Sequence, residues 1–158
     1  MVRLKIDLLG ISELHWTGNG YFQSKEFIIY YSGHDNTHRN GVAFIASKQM
    51  AQAVEGFSTV NDRIMTIRIR AKPINITVVQ VYALTTDANE PEIEDFYATI
   101  EVTLRTIPKK DIIYILGNFN AKLAPKQRQE SLEVLGWEKE MRQTIDWYNF
   151  GRKTSFES

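Results

Sequence analysis

The apolar residues of this sequence recur with the spacing of strands as far as Tyr82 and with the spacing of a helix only afterwards. A chain ordered in this way builds sheet first and then lays a helix on it. Ile6-Asp7-Leu8-Leu9-Gly10-Ile11-Ser12-Glu13 is a short apolar run ending in a carboxylate, which suits a buried strand. A loop, Thr17-Gly18-Asn19-Gly20, follows it. Glu26-Phe27-Ile28-Ile29-Tyr30-Tyr31 is the next aromatic and β-branched run. After the polar stretch from Asp35 to Arg39, Asn40-Gly41 leads directly into Val42-Ala43-Phe44-Ile45-Ala46. Asn-Gly predicts a hairpin there, because both residues tolerate positive φ. The run from Arg63 to Arg70 alternates apolar and polar from Ile67 on, as a sheet with one wetted face does. Asn75-Ile76-Thr77-Val78-Val79-Gln80-Val81-Tyr82 is more apolar and predicts a more central strand, with Lys72-Pro73 as the turn between the two.

The period then changes. Ile93, Phe96, Tyr97, Ile100, Leu104 and Ile107 predict an amphipathic helix that Pro108 stops. Glu90, Glu92 and Glu94 lie near its N-terminus, where the helix dipole favours anions. Asp111-Ile112-Ile113-Tyr114-Ile115-Leu116 reads as a further buried strand, broken by Gly117-Asn118-Phe119-Asn120. Val134, Trp137, Met141, Ile145 and Tyr148 predict a last helix whose first turn Gly136 weakens, and Arg152 to Ser158 reads as a frayed tail. The expected organisation is one domain over 1–150 and a tail over 151–158. The fold class is α/β with a mixed, mostly antiparallel sheet, because the strand-dense front is too hairpin-like for a doubly wound series.

Composition narrows the function classes. With 158 residues, 43% hydrophobic and 24% charged, this is the make-up of an ordinary globular chain. The absence of Cys excludes disulfides, thiolate metal sites and a cysteine nucleophile. Nineteen Lys and Arg against nineteen Asp and Glu argue against a strongly basic nucleic-acid module. No apolar run approaches the roughly 18 residues of a membrane span. Asp7 comes too early for a signal peptide. An intracellular location is expected.

There is no Gly-rich phosphate loop and no Gly-x-Ser-x-Gly elbow. His15, His34 and His38 have no ligand spacing and read as solvated loop residues. Two strand ends remain. Glu13 closes one apolar run, and Asn118 and Asn120 close another. Polar groups at strand ends converge on one site in many α/β proteins, and a carboxylate there suits Mg²⁺. On spacing alone, Glu13 reads first as a rim charge and the two asparagines as a polar turn.

Four segments occur in a telling order: Ile11-Ser12-Glu13-Leu14-His15-Trp16-Thr17-Gly18, Arg39-Asn40-Gly41-Val42-Ala43, Val79-Gln80-Val81-Tyr82-Ala83 and Leu116-Gly117-Asn118-Phe119-Asn120-Ala121. Pro108-Lys109-Lys110-Asp111 stands just before the last. Together they resemble the endonuclease/exonuclease/phosphatase superfamily, and within it the apurinic-like endonuclease domain of non-LTR retrotransposons and the related craniofacial development protein 2 family. The resemblance runs from about Asp7 to about Tyr148. It implies part of a four-layer α/β/β/α sandwich and Mg²⁺-dependent (or Mn²⁺-dependent) cleavage of DNA phosphodiesters, leaving a nick with a 3′ hydroxyl. It implies that Glu13 holds the metal, that Tyr82 positions the scissile phosphate, and that Asn120 stabilises it. Asn118 falls on the Asp of the family's Gly-Asp-x-Asn motif, which handles a proton. The implied partner is DNA, with no membrane and no small-molecule cofactor, and a nuclear location if that function is retained.

Asn118 is the central departure, since an amide neither takes a proton nor carries charge at neutral pH. The family's Asn-bearing first strand and its late Ser-Asp-His are not found in this sequence. Asp146 in Ile145-Asp146-Trp147 reads as a solvated helix residue. The expectation is a domain truncated at both ends, catalytically impaired or inactive, with an unpaired sheet edge that promotes self-association. The alternatives are a non-catalytic remnant and a repurposed nucleic-acid- or protein-binding module. Lys109, Lys110, Lys122, Lys126 and Arg128 are expected around the site, either as phosphate contacts or as solubilising charge.

Overall fold

The computed structural model describes residues 1, 6–85 and 87–118, which fall in one compact unit. Two four-stranded sheets make up most of it. The first has β1 (Leu8–Ser12), β2 (Asn19–Ser24), β3 (Phe27–Ser32) and β4 (Val42–Ser47), in the order β1-β4-β3-β2. The second has β5 (Val54–Thr59), β6 (Ile64–Ile69), β7 (Ile76–Tyr82) and β8 (Ile112–Asn118), in the order β5-β6-β7-β8. All pairings between these strands are antiparallel except β7 with β8. A one-turn helix, α1 (Lys48–Ala51), carries the chain from one sheet to the other, and the Ser47 hydroxyl caps it by accepting from the Met50 amide. The architecture is α/β with two mostly antiparallel sheets, as the sequence predicts.

The sheets share a core. Tyr30, Val42, Phe44 and Ala46 from the first pack with Met65, Ile67, Ile69 and Val78 from the second. The single parallel pair needs a crossover, and α2 (Glu90–Thr106) supplies it. Asn89 caps α2 in a capping box with Glu92, and Pro91 stands in the first turn where no amide partner is lost. The expected apolar stripe faces the sheet: Phe96, Tyr97, Ile100, Leu104 and Ile107 cover Ile64, Val79, Val81, Ile113 and Ile115. The described layers are therefore sheet, sheet and helix.

Four expectations need correction. The runs ending at Glu13 and Leu116 are not strands buried on both sides, because β1 and β8 lie at sheet edges among the described residues. Ile113 and Ile115 face α2, while Tyr114 between them is 53% exposed. Gly117-Asn118 does not break β8 but completes it, since Gly117 pairs with Val81 and Asn118 with Tyr82. Asn40-Gly41 does not close a tight hairpin. The connection from β3 to β4 spans nine residues, 33–41, and although both residues take positive φ (54° and 95°), their carbonyls accept from residues 14 and 15. Finally, Asn19 and Gly20 begin strand β2 rather than ending a loop, and β5 is a strand that the sequence pattern does not announce. Both are edge strands, and the first is mostly exposed, so neither carries the apolar alternation of a half-buried strand. The last predicted helix, Asp146, Asn120, Lys122, Lys126, Arg128 and the tail lie outside the described residues.

Gln80 is buried between the sheets and donates from Nε2 to the Ser12 hydroxyl at 3.0 Å. Its amide lies against Gly10, where a Cβ would come within 1.9 Å of Oε1. Gly10→Ala is therefore expected to displace Gln80 and to lower stability by about 1–2 kcal/mol, as overpacking of a closed core does. Urea denaturation of the variant checks this, and an unchanged midpoint contradicts the close approach.

Candidate active site

Glu13, Tyr82 and Asn118 are 69 and 36 residues apart in sequence, and the sheets bring all three to one end of the fold. Glu13 directly follows β1, Tyr82 closes β7, and Asn118 closes β8. The parallel register sets Asn118 beside Tyr82, and the Ala83 amide donates to the Asn118 carbonyl at 3.0 Å. The strand carrying Glu13 is tied to β7 by the Ser12 hydroxyl, which accepts from Gln80 and donates to the Val81 carbonyl at 3.4 Å.

The backbone at Glu13 is under strain. Glu13 and His15 have φ of 62° and 57°, a region that few residues other than Gly occupy and in which Asn, Asp and His are commoner than Glu. Each such residue costs on the order of 1–3 kcal/mol and persists only where its surroundings over-determine it. Here a neighbouring loop does so. The Leu14 amide donates to the Gly41 carbonyl at 3.0 Å, and the His15 amide to the Asn40 carbonyl at 2.8 Å. That loop is held in turn by Asp62, whose carbonyl accepts from the Gly41 amide and whose carboxylate accepts from Asn40 Nδ2 at 2.7 Å. The result leaves the Glu13 carboxylate exposed and near the Tyr82 phenol.

Electrostatics link the parts. Burial pushes the Tyr82 phenol above its ordinary value, the nearby Glu13 carboxylate adds to this, and the Arg63 guanidinium opposes it. Arg63 lies with its Cζ 4.9 Å from the Tyr82 ring centroid. Its Nη1 donates to the Tyr82 carbonyl at 3.3 Å and to the Ala83 carbonyl at 3.1 Å.

Sequence reasoning missed Arg63, the Ser12–Gln80 link and the loop held by Asp62. Arg63 reads in sequence as the first residue of a strand, and nothing in its spacing points to Tyr82. The basic residues need correction too. Lys109 and Lys110 precede β8, and Asn118 ends it, so about seven residues at roughly 3.3 Å each separate them from the site. Of the histidines, His15 and His38 are exposed loop residues, as expected. His34 organises its own loop, accepting at Nδ1 from the Asn36 and Thr37 amides.

No family model matches the sequence. Among curated proteins, craniofacial development protein 2 of Bos taurus is 44% identical over 127 residues, and that of Tragulus javanicus 43% identical over the same length. The chain is similar to craniofacial development protein 2. The match covers 80% of this chain and 22% of each relative, so the chain spans about a fifth of the length of the craniofacial development proteins it matches. The resemblance read from the four motifs is borne out in this respect. Among solved structures, the endonuclease domain of TRAS1, a telomere-specific non-LTR retrotransposon, aligns with 73% of this chain and 52% of its own at 18% identity and a TM-score of 0.48.

Proposed function

We propose that this chain is a retrotransposon-type, Mg²⁺-dependent DNA endonuclease domain whose turnover is impaired at Asn118. The single observation that carries the reading is the convergence of Glu13, Tyr82 and Asn118 at one end of the two sheets, with Glu13 held in a strained backbone.

The donor set fits the metal. No group of three His, Asp or Glu occurs among the described residues. Mg²⁺ does not need one, because it keeps several waters and takes one or two carboxylates plus substrate phosphate oxygens. Glu13 would hold it, and its chemistry there is to offset charge on the phosphate as the bond breaks. Tyr82 offers a neutral phenol near physiological pH, which can donate to a phosphate oxygen. Asn118 can orient a water or a phosphate by hydrogen bonding. It cannot accept the water's proton, and loss of a general base costs typically about 10²–10⁴-fold in rate.

That amide also favours a second reading, in which the domain retains DNA without cutting it. Supercoiled-plasmid nicking with Mg²⁺ tests both. The wild type is expected to nick at a trace rate that disappears in Glu13→Ala, and to bind DNA with an affinity that falls as salt rises. Binding with no nicking favours the second reading. Nicking that survives Glu13→Ala, or no DNA binding at all, contradicts the site assigned here.

A further inference from the structure

We propose that Arg63 is a positioning residue, which fixes the Tyr82 ring and locks the end of β7 to its neighbours. The role rests on the site being the one proposed above.

Three contacts from one guanidinium define it. Nη1 donates to two successive carbonyls, Tyr82 and Ala83, where β7 ends. The guanidinium carbon sits over the Tyr82 ring at cation–π distance. The Arg63 carbonyl accepts from the Tyr82 amide at 2.8 Å, so the same two residues are joined through backbone as well. The next amide along, that of Ala83, bonds to Asn118, so one clamp spans the residues that carry both strand ends.

The charge matters as well as the shape. Arg63 makes no ion pair with a carboxylate among the described residues, whereas Arg68 on β6 is bound to two. Its positive charge is therefore spent on the ring and the carbonyls. An arginine does this better than a lysine, because a planar fork can bond to carbonyls while it stacks on a ring.

The test reads the ring directly, at one fixed neutral pH. In protein labelled with ¹³C at the tyrosine ζ carbon, Tyr82→Phe assigns the Tyr82 signal, which is then compared in the wild type, Arg63→Gln and Arg63→Lys. Arg63→Gln is expected to move the Tyr82 signal toward its random-coil position, and Arg63→Lys, which keeps a cation at the ring, to move it less. A residue that served packing alone would change the melting temperature and leave the Tyr82 signal where it is. An unmoved Tyr82 signal in Arg63→Gln overturns the proposal. Should Arg63→Gln fail to fold, the wild type still decides: the Arg63 δ protons are expected upfield through the ring current, returning toward random-coil positions in Tyr82→Leu, and random-coil values in the wild type overturn the proposal. Plasmid nicking on the same samples separates the two readings. Glu13-dependent nicking with an unmoved Tyr82 signal removes only the role of Arg63. A shifted Tyr82 signal without DNA binding removes only the nuclease reading.

Discussion

Phe44→Ala is expected to lower the unfolding free energy by about 3–5 kcal/mol, the usual range for a large buried aromatic. Phe44 is fully buried on β4, opposite Tyr30 on β3 and opposite Gly10 on β1. It points between the sheets, into the cluster with Met65, Ile67 and Val78. The cost is set by how well the site can collapse around the void. Here collapse is hindered, because the neighbours belong to two sheets held in register by their own ladders, and a sheet moves as a unit. Domains of this size have roughly 5–15 kcal/mol in total, so the variant is expected to lose much of its margin and to melt well below the wild type. Equilibrium urea denaturation followed by far-ultraviolet circular dichroism measures it. A loss below about 1 kcal/mol would mean that the two sheets do not depend on this shared core.

The sheets were legible where a strand buries one face regularly. The run from Ile64 to Ile69 and the run from Ile76 to Tyr82 keep their apolar residues at core positions, and the structure places them side by side in the centre of the second sheet. Helix α2 was legible for the same reason, at a different period. What escaped was whatever tertiary context alone defines. Strand β2 is held by its pairing with β3 and carries no alternation of its own. Whether β1 or β8 is central or at an edge depends on which strands lie next to it, and an apolar run looks the same in both places. The candidate site divides in the same way. Glu13 and Asn118 stand at the ends of recognisable runs, so spacing could nominate them, whereas Tyr82 was nominated only by the family resemblance, and parallel pairing then set Tyr82 beside Asn118. Arg63 could not be nominated, because its role comes from three contacts made across the sheet and none is encoded in the residues around it. Lys109 and Lys110 erred in the opposite direction: closeness to Asn118 in sequence means distance from it in an extended strand.

Asp111→Ala is expected to cost about 2–3 kcal/mol near neutral pH, with a cost that shrinks in acid. The Asp111 side chain is 2% exposed and accepts from three donors: Arg68 Nε at 2.6 Å, Arg68 Nη2 at 2.9 Å and the Thr77 hydroxyl at 2.8 Å. These bonds fasten the start of β8 to β6 and β7, at the end of the sheet opposite Asn118. Removing one member of a buried pair costs about 3–5 kcal/mol when the other is stranded. Arg68 is not stranded, since its side chain is 36% exposed and also bonded to Glu55, so the expected loss falls below that range. The pH dependence follows from the hydrogen bonds. Donation from Arg68 holds the Asp111 carboxyl below its ordinary value of 3.8, burial works against this, and Thr77 reinforces it. A carboxyl depressed in the folded state contributes fully above its unfolded value and loses that contribution as the pH falls through its folded one. The stability gap between the wild type and Asp111→Ala is therefore expected to be widest near about pH 7 and to close steadily below about pH 4, as the proton that the folded state resists is finally taken up. A gap that stays constant down to about pH 2 would show that the Asp111 carboxyl is not depressed by folding, and that Arg68 holds β8 by packing rather than by charge.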